Sequence, residues 1–390
     1  MSVASSSKPT ESAVRRVLVV GGGIAGGVLS LALAQRGVEV VLVDLRPELG
    51  GVGHGITVQG NALKAFREVG IYDRLAERGF PFNSLKLCAP DGTVTAQIQA
   101  PPMGGEDLPG TMGAVRADIA DLLAGDIVAS PLIDLRLGTT LTAFDDDGDG
   151  DGDGVTVTLS DGTTERVDLL VGADGIRSTV RSMIGIDTQP EPVGMGIWRV
   201  IGPRTPEMDV SEIYYGGPKY KAGCTPISDE LCYAFLIEDN LDRSVIGEVP
   251  TLEMFREHGQ GYGGNWGKVR DSLTEDTVVN YQWIEAILVE SPWYRGRTII
   301  IGDAAHACPP LVAQGAAMCA EDAVVLAEVI TAGDQLEKSL PAFMARRFPR
   351  VKLVLDGSLQ LAEWEIHPDT PGADPAKLTA DTLQALVEPA

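Results

Sequence analysis

The chain has 390 residues and carries 31 basic and 55 acidic side chains, so its formal net charge is −24. This negative charge disfavours nucleic acid and anionic membranes as partners, and no segment approaches the roughly 20 apolar residues that a membrane-spanning helix needs. The five cysteines lack C-x-x-C spacing and the four histidines are dispersed, so neither a disulfide framework nor a metal site is predicted.

The first 15 residues lack the apolar core of a signal peptide, which predicts a disordered leader and a cytoplasmic protein. An apolar, β-branched run over residues 17–20 then predicts a strand buried on both faces. A helical stretch to about Gln35 and a second β-branched run over 38–43 follow. A glycine fingerprint and a terminal acid complete this unit: Gly21, Gly23, Gly26 and Asp44. This order of strand, glycine-rich turn, helix, strand and acid predicts a dinucleotide site, with the pyrophosphate at the helix N-terminus and the ribose on Asp44. The unit alone does not distinguish NAD from FAD.

Arg46 follows this acid and could pair with an adenosine or phosphate group, although a solvated surface arginine is an equal alternative. Asn61 is a good N-cap for an amphipathic helix over residues 61–69. Strand-like runs on both sides of residues 90–92 predict a hairpin, and a helix headed by Arg116 follows.

The acidic tract over residues 145–154 separates two strand-like segments. Its Asp-x-Asp-x-Asp-Gly spacing matches the start of a calcium loop, but position 12 of that loop would be Ser160 and both flanks are strands. We therefore interpret the tract as a long, solvated hairpin turn.

Residues 181–284 contain short strand-like pieces without strand–helix alternation. This pattern predicts a sheet-based substrate domain inserted into the nucleotide-binding fold. A strand ending at a Gly-Asp turn resumes the parallel fold, and helices are predicted over 316–330 and 341–361. In the tail, only residues 377–387 are compatible with a helix.

Two later motifs place an acid at the end of a strand. Asp174 and Gly175 lead into one helix, while Gly302 and Asp303 precede a Pro-rich loop and a helix opened by residues 314–316. A carboxylate at a strand end suits a polyol hydroxyl, and free N–H groups at a helix start suit a developing negative charge.

The three motifs, in this order, resemble the fingerprints of the single-component (group A) FAD-dependent aromatic hydroxylases, of the p-hydroxybenzoate, salicylate and 6-hydroxynicotinate hydroxylase type. The resemblance implies an α/β fold: a discontinuous Rossmann-like FAD-binding domain with an inserted β-sheet substrate domain and C-terminal helices. We place the domain limits at 16–80, 110–180 and 285–350 for the FAD-binding domain, 81–109 and 181–284 for the substrate-binding sheet, and 351–390 for the C-terminal helix and tail.

The resemblance also implies which residues bind FAD. The ADP half would lie against Gly21, Gly23, Ile24, Ala25, Gly26, Asp44, Leu45 and Arg46. Arg116 would contact the ribityl and phosphate region, Asp174 would lie near the pyrophosphate and the nicotinamide groove, and Gly302 with Asp303 would hold the ribitol.

The flavin ring is expected beside a second set of residues: Gly55, Ile56, Pro310, Gly315, Ala316 and Ala317. Of these, Pro310, Gly315 and Ala316 would shape the reaction cavity and the flavin edge, and no certain acid or base is identified. The family often has glycine where this chain has Ala313. His54 falls in a segment beside the ring where a small residue is more usual; a substrate contact or covalent flavin attachment is conceivable, but we interpret it as a packed histidine. His306 is interpreted as structural support.

The implied reaction is hydroxylation of a small phenolic, benzoate-like or hydroxypyridine-like substrate, with NAD(P)H as reductant and O2 activated as a flavin C4a-hydroperoxide. FAD would bind non-covalently, and NAD(P)H would visit transiently because no second dinucleotide unit is present. A monomer or homodimer is expected. Substrate candidates are Thr57, Trp198, Arg199, Tyr214, Tyr215, Lys219, Tyr220, Lys221 and Tyr233.

Other functions stay open at this point. An FAD-dependent dehydrogenase or reductase would share the dinucleotide unit without using O2, and an epoxidising or non-aromatic monooxygenase would share the whole fold. A non-catalytic FAD-binding protein is a further alternative. A flavin-dependent halogenase is disfavoured because the W-x-W-x-I-P signature is absent.

Overall fold

The computed structural model describes residues 14–50, 53–146, 154–242, 250–332 and 335–390. Most of the predicted leader and the centre of the acidic tract lie outside these ranges. The described strands are β1 (Arg16–Val20), β2 (Glu39–Asp44), β3 (Gly55–Gln59), β4 (Phe80–Phe82), β5 (Ser84–Cys88), β6 (Val94–Gln99), β7 (Thr111–Val115), β8 (Ile133–Leu137), β9 (Leu141–Asp146), β10 (Val155–Leu159), β11 (Thr164–Val167), β12 (Leu169–Gly172), β13 (Glu191–Pro203), β14 (Ser211–Tyr214), β15 (Lys221–Pro226), β16 (Leu231–Asp239), β17 (Asn280–Leu288), β18 (Tyr294–Arg295), β19 (Thr298–Ile300) and β20 (His306–Ala307).

Ten α-helices are described, together with short 3-10 turns at Gly302–Ala304 and Pro310–Val312. The helices are α1 (Ile24–Ala34), α2 (Gly60–Glu68), α3 (Tyr72–Ala76), α4 (Arg116–Ala129), α5 (Thr179–Met183), α6 (Leu252–His258), α7 (Gly264–Ser272), α8 (Gly315–Ala332), α9 (Leu336–Ile366) and α10 (Pro375–Ala385).

A six-stranded sheet forms the nucleotide-binding half, in the order β18-β19-β12-β1-β2-β8. Strand β1 pairs in parallel with both β12 and β2, and all of its apolar residues are buried. Continuous apolar runs of this kind form strands that are covered on both faces. All three predicted motifs follow strands of this sheet, β1, β12 and β19, so their turns meet at one edge.

An eight-stranded sheet forms the other half, in the order β20-β17-β13-β16-β15-β14-β5-β6. Helices α6 and α7 cover one face through a cluster that includes Trp198, Tyr214, Phe255 and Trp266. Successive side chains of a strand point to opposite faces, so the alternate residues lie on the other face, toward α9 and α10. Two three-stranded sheets complete the architecture, in the orders β11-β10-β9 and β3-β7-β4.

The predicted fold class is confirmed, whereas the exact domain limits stay a prediction. Two local expectations are wrong. Helix α9 starts at Leu336, not at residue 341, so Pro341 lies inside the helix instead of opening it. Asn61 does not cap α2, because the helix begins at Gly60 and the Asn61 side chain is buried.

Candidate active site

The turn between β1 and α1 brings backbone close to a cavity. A Cβ atom on Gly26 would overlap the carbonyl oxygen of Gly21, so glycine allows α1 to pack directly on the end of β1. A Cβ atom on Gly23 would meet open space, and Gly23 lines the cavity. The first N–H groups of α1 therefore open toward this space, which suits a phosphate group.

Asp44, at the end of β2, is held by two neighbours. Its carboxylate accepts hydrogen bonds from Gly22 N (2.8 Å) and from the backbone N, Nε and Nη2 of Arg46 (2.9 Å each). Burial opposes ionisation, but the hydrogen bonds from Arg46 outweigh it, and the pKa of Asp44 is lowered. A ribose on Asp44 would have to displace the Arg46 side chain, which is about half exposed (48%) and also donates to Gly50 O (2.8 Å).

Two cavities lie on either side of the segment from Cys308 to Ala316. The nucleotide cavity, about 930 Å³, is lined by the β1–α1 turn, by Ala173 and Gly175 after β12, by Asp303, and by residues 281–285 of β17. The sheet cavity, about 1130 Å³, covers the free face of the eight-stranded sheet and is closed by α9 and α10. The two cavities share lining residues: Ile56, Arg116, Arg199, Cys308, Pro310, Gly315 and Ala316.

Asp303 is a partly buried acid on the wall of the nucleotide cavity. Its Oδ1 accepts a long hydrogen bond of 3.5 Å from the thiol of Cys319. Burial raises the pKa of Asp303, although the positive charges of His306 and Arg116 act against this effect. A partly buried carboxylate with so weak a partner is suited to accept hydrogen bonds from hydroxyl groups of a ligand.

Asp174, the acid of the second motif, has a different environment. Its carboxylate accepts hydrogen bonds from Thr179 N (2.7 Å) and Val180 N (3.2 Å), the first backbone groups of α5. The side chain therefore fixes the start of α5. Its neighbours Ala173 and Gly175, not Asp174 itself, line the nucleotide cavity.

A buried group of charged residues, which we call the Arg347 cluster, supports the Gly302-Asp303 turn. Its members are Arg347, Glu321, Asp322 and His306. Asp322 Oδ2 accepts hydrogen bonds from Gly302 N (2.9 Å) and His306 Nε2 (2.6 Å), and Asp322 Oδ1 accepts one from Arg347 Nε (2.7 Å). His306 is thus a structural support of the turn.

The Arg347 cluster extends to helix α2. Arg347 Nη1 donates to Glu321 Oε2 (2.6 Å), and Asn61 Nδ2 donates to Glu321 Oε1 (2.9 Å). Sequence reasoning missed Arg347, Glu321 and Asp322. They stand in helices α8 and α9 without a motif, and only the packing of the two helices brings them together.

The sequence-based substrate candidates divide between the two faces of the sheet. The prediction that Trp198 and Tyr214 contact the substrate is wrong, because both side chains are fully buried in the cluster beneath α6 and α7. The remaining candidates line the sheet cavity: Thr57, Arg199, Tyr215, Lys219, Tyr220, Lys221 and Tyr233. The division follows from strand alternation, because Trp198 and Arg199 are neighbours on β13 and so point to opposite faces.

His54 is buried (8% exposed) and lines the sheet cavity. Its Nδ1 lies 3.2 Å from the carbonyl oxygen of Gly55 and can donate to it, which leaves Nε2 able to accept a proton. Burial lowers the pKa of His54 to about 4, and the charges of Arg199 and Arg116 act in the same direction. The imidazole is therefore neutral at physiological pH.

Ala313, on the wall of the sheet cavity, has φ of 52° in the left-handed region. It ends the 3-10 turn Pro310–Val312, just before helix α8. A non-glycine residue in this region is strained by about 1–2 kcal/mol. The local backbone thus has the conformation that a glycine would adopt more easily.

Comparisons with known proteins identify the class. The FAD binding domain family matches residues 15–232 and 269–358, so the chain belongs to this family. It is 31% identical over 358 residues to 2-heptyl-3-hydroxy-4(1H)-quinolone synthase of Pseudomonas aeruginosa (strain UCBPP-PA14), covering 90% of each chain. It is 29% identical over 338 residues to 6-hydroxynicotinate 3-monooxygenase of Pseudomonas fluorescens, covering 81% of this chain and 82% of that protein.

A solved structure agrees with this assignment at the level of the fold. Klebsiella pneumoniae HpxO, complexed with FAD and uric acid, superposes with a TM-score of 0.78 at 23% identity, covering 96% of this chain and 93% of that one. The protein is an FAD-dependent monooxygenase of the group A aromatic hydroxylase type, and the prediction of FAD as its cofactor is confirmed. Among the described residues, no helix is long and apolar enough to cross a membrane.

Proposed function

We propose that this protein uses NAD(P)H and O2 to hydroxylate an aromatic substrate in the sheet cavity. The observation that carries the proposal is the wall shared by the two cavities, where Arg116, Arg199 and Pro310 face both spaces. A cofactor extended from the β1–α1 turn through the nucleotide cavity would end at this wall. A substrate in the sheet cavity would meet it there.

The residues of the nucleotide cavity fit FAD. The open backbone at Gly23 suits the pyrophosphate, and the carboxylate of Asp303 on the cavity wall suits the ribitol. The free N–H groups at the start of α8 suit the electron-rich edge of the ring. When bound, FAD supplies hydride acceptance and the activation of O2. We assign its binding to Gly21, Gly23, Ile24, Ala25, Gly26, Asp44, Leu45, Arg46, Gly55, Ile56, Arg116, Asp174, Gly302, Asp303, Pro310, Gly315, Ala316 and Ala317.

For Asp174, the assignment is indirect. Its carboxylate is engaged by the first N–H groups of α5, so it would act by shaping the backbone of Ala173 and Gly175. Leu45 is largely exposed, which leaves its apolar side chain available to an adenine ring.

His54 is our candidate for the general base. Electrophilic hydroxylation is faster on a phenolate than on a phenol, so removal of the phenolic proton activates the ring. The O–H bond of the substrate would break with transfer of its proton to His54 Nε2, and the negative charge left on oxygen would be stabilised by Arg199 and Arg116, whose charges reach His54. A neutral imidazole is required for this role, and His54 is neutral at physiological pH. Because its lowered pKa also makes it a weak base, the transfer depends on stabilisation of the phenolate by the two arginines.

The substrate is proposed to be a small phenolic, benzoate-like, hydroxypyridine-like or related bicyclic aromatic compound. The names of the two curated relatives support this class, since one refers to a quinolone and the other to a hydroxypyridine acid. Within the sheet cavity, Thr57, Arg199, Tyr215, Tyr220 and Tyr233 are the proposed contacts.

The test follows oxygen and reductant together. FAD-loaded protein is incubated with NADH or NADPH and a series containing 4-hydroxybenzoate, 6-hydroxynicotinate and 2-heptyl-4(1H)-quinolone. We expect at least one compound to accelerate NAD(P)H oxidation with equal O2 uptake, and its product to gain one oxygen atom from labelled O2. NAD(P)H oxidation that consumes no O2 with any compound would favour a dehydrogenase or reductase. A labelled epoxide would favour the epoxidising alternative.

A further inference from the structure

The far end of the sheet cavity contains a buried ion pair that the proposed reaction does not use. Lys221, at the start of β15, and Glu365, in the last turn of α9, both line this cavity. Lys221 Nζ lies 2.7 Å from Glu365 Oε1, and the two side chains are only 5% and 8% exposed. Burial opposes the charge on Lys221, but attraction to Glu365 raises the pKa of Lys221 and keeps this side chain protonated.

The pair is incompletely satisfied. Glu365 Oε2 is buried and has no hydrogen-bond partner among the described residues. A carboxylate oxygen left without a donor in an apolar environment costs free energy, commonly about 1–3 kcal/mol. A hydrogen-bond donor brought by a ligand would recover this cost, and Lys221 could at the same time donate to an acceptor on the same group.

The register of the sheet fixes the distance of this pair from the proposed reaction centre. Ile197 of β13 pairs with Ile237 of β16, which pairs with Lys221 of β15, and Arg199 lies two residues along β13. Two strand spacings and two residues separate Arg199 from Lys221, so their Cα atoms are about 12 Å apart. Both side chains lie on the cavity face. A single aromatic ring does not span this distance.

The lining between the two ends is apolar. It consists of Phe235 and Ile237 from the sheet and of Leu361, Trp364 and Leu383 from the helices that close the cavity. The volume of about 1130 Å³ slightly exceeds the roughly 300–1,000 Å³ usual for small-molecule sites. An apolar connection between two polar ends would fit this shape.

We propose that Lys221 and Glu365 form a second recognition site for an elongated substrate, whose aromatic ring reacts near Arg199 and whose apolar arm ends in a neutral hydroxyl or amide group. The ring's position rests on the proposed function. The group is neutral because the ion pair has no net charge, and burying a carboxylate or ammonium beside it would leave one charge without compensation. Once the Glu365 carboxylate rotates so that Oε2 turns toward the cavity, a hydroxyl can donate to this oxygen and accept from Lys221.

The test measures binding without turnover. FAD-loaded protein is titrated, in the absence of NAD(P)H, with 4-heptylphenol and with 4-(7-hydroxyheptyl)phenol, and the change in flavin absorbance gives each Kd. We expect the hydroxylated probe to bind at least fivefold more tightly than the alkyl probe. Because no hydride or oxygen is consumed, failure of the proposed hydroxylation would leave this result unaffected.

The variant Lys221→Leu/Glu365→Leu removes both charges together, so that no single charge is left buried. It should reverse the preference and bind 4-heptylphenol more tightly. The matched control is Lys86→Met, which breaks the Lys86–Asp209 pair outside the cavity and should keep the wild-type ratio. If the double variant does not retain FAD, the single variant Glu365→Gln is tested in its place. We expect its preference for the hydroxylated probe over the alkyl probe to fall below twofold.

The proposal is overturned by any of three results. These are equal affinity of the wild type for the two probes, no binding of either probe, and a fivefold preference that persists in the variant that lacks the pair.

Discussion

The protein contains two buried groups of charges, and they differ in how completely their carboxylate oxygens are paired. In the Arg347 cluster, the guanidinium donates to Glu321, Asp322 and the carbonyl oxygen of Met318. In the pair formed by Lys221 and Glu365, one carboxylate oxygen has no partner. The first group links α8, α9 and the Gly302-Asp303 turn, whereas the second faces a cavity.

This difference in pairing indicates that the Arg347 cluster stabilises the fold and that the Lys221–Glu365 pair is available to bind a ligand. A fully paired buried network holds its members in one arrangement, because any displacement would leave a charge without compensation in a medium of low dielectric constant. A site with an unpaired carboxylate oxygen is stabilised when a ligand supplies the missing hydrogen-bond donor. We therefore expect changes in the Arg347 cluster to affect folding, and changes on the cavity side to affect ligand binding and rate.

The largest effect is expected from Arg347→Met. The substitution keeps an apolar side chain of similar length but removes the positive charge that Glu321 and Asp322 share. Glu321 is then left with Arg350 and Asp322 with His306, which should reduce the free energy of unfolding by about 3–5 kcal/mol. Urea unfolding followed by far-UV circular dichroism measures this. The control is Arg346→Ala, which removes a partly exposed pair with Glu328 and a hydrogen bond to Ala390 O (2.6 Å), and should cost about 1–2 kcal/mol. Similar losses in the two variants would contradict the distinction.

The loss of stability in Arg347→Met should also depend on pH. Although burial opposes it, the charges of His306 and Arg347 lower the pKa of Asp322, and those of Arg347 and Arg350 lower the pKa of Glu321. A carboxylate whose pKa is lowered by folding stabilises the protein above its unfolded pKa of about 4, and this contribution is lost as the pH falls through the folded value. The stability gap between wild type and Arg347→Met should therefore narrow below pH 4. A gap that stays constant down to pH 3 would show that these carboxylates are not the source.

Asp303→Ala tests the cofactor side of the wall. Removal of this carboxylate should weaken FAD binding by about 10²-fold, since hydrogen bonds to a charged group contribute about 1.5–3 kcal/mol. Equilibrium dialysis of the apoprotein against FAD gives the Kd. Asp303→Asn keeps one acceptor oxygen and should lose less affinity. Retention of wild-type affinity in the alanine variant would disprove the assignment of Asp303.

His54→Gln tests the reacting end of the sheet cavity. With a phenol that is protonated at neutral pH, kcat should fall by about 10²-fold, the lower range for general base catalysis. With a fluorinated phenol that is already ionised, the loss should be much smaller, because no proton has to be removed. Equal losses with both substrates would make His54 a packing residue and not a base.

The pH profile of the wild type gives an independent check on His54. Its pKa of about 4 means that the imidazole is neutral over the whole range above pH 5. We expect no loss of kcat from this group between pH 5 and 8, and a decline only as the pH approaches 4. A decline centred near pH 6.5 would indicate a histidine with an ordinary pKa in the rate-determining step.

The parts of the site that could be predicted from sequence are those fixed by local geometry. Gly21, Gly26 and Asp44 are separated by one strand, one turn and one helix, so their spacing alone carries the signal. Arg199 and Trp198 could not be assigned to a face, because the side of the sheet that α6 and α7 cover is decided by packing.

Contacts between distant segments left no signal in the sequence. Lys221 and Glu365 are 144 positions apart, and neither belongs to a motif. Asn61 has a residue type that favours a helix cap, but its amide is buried against Glu321 instead. In each case tertiary packing decides which of several local possibilities is realised.

The smallest effect is expected from Ala313→Gly, in the turn that joins the two cavities. Glycine relieves the strain of a left-handed residue but adds entropy to the unfolded chain, so the net gain in stability should be about 0.5–1 kcal/mol. Ala345→Gly, at an exposed position inside α9, is the matched control and should lose about 1 kcal/mol, since the backbone there is helical. Urea unfolding of both variants compares the two. If Ala313→Gly stabilises the protein while Ala345→Gly destabilises it, the backbone at Ala313 is strained. If both substitutions destabilise the protein, the packing of the Ala313 methyl group contributes more to stability than relief of the strain.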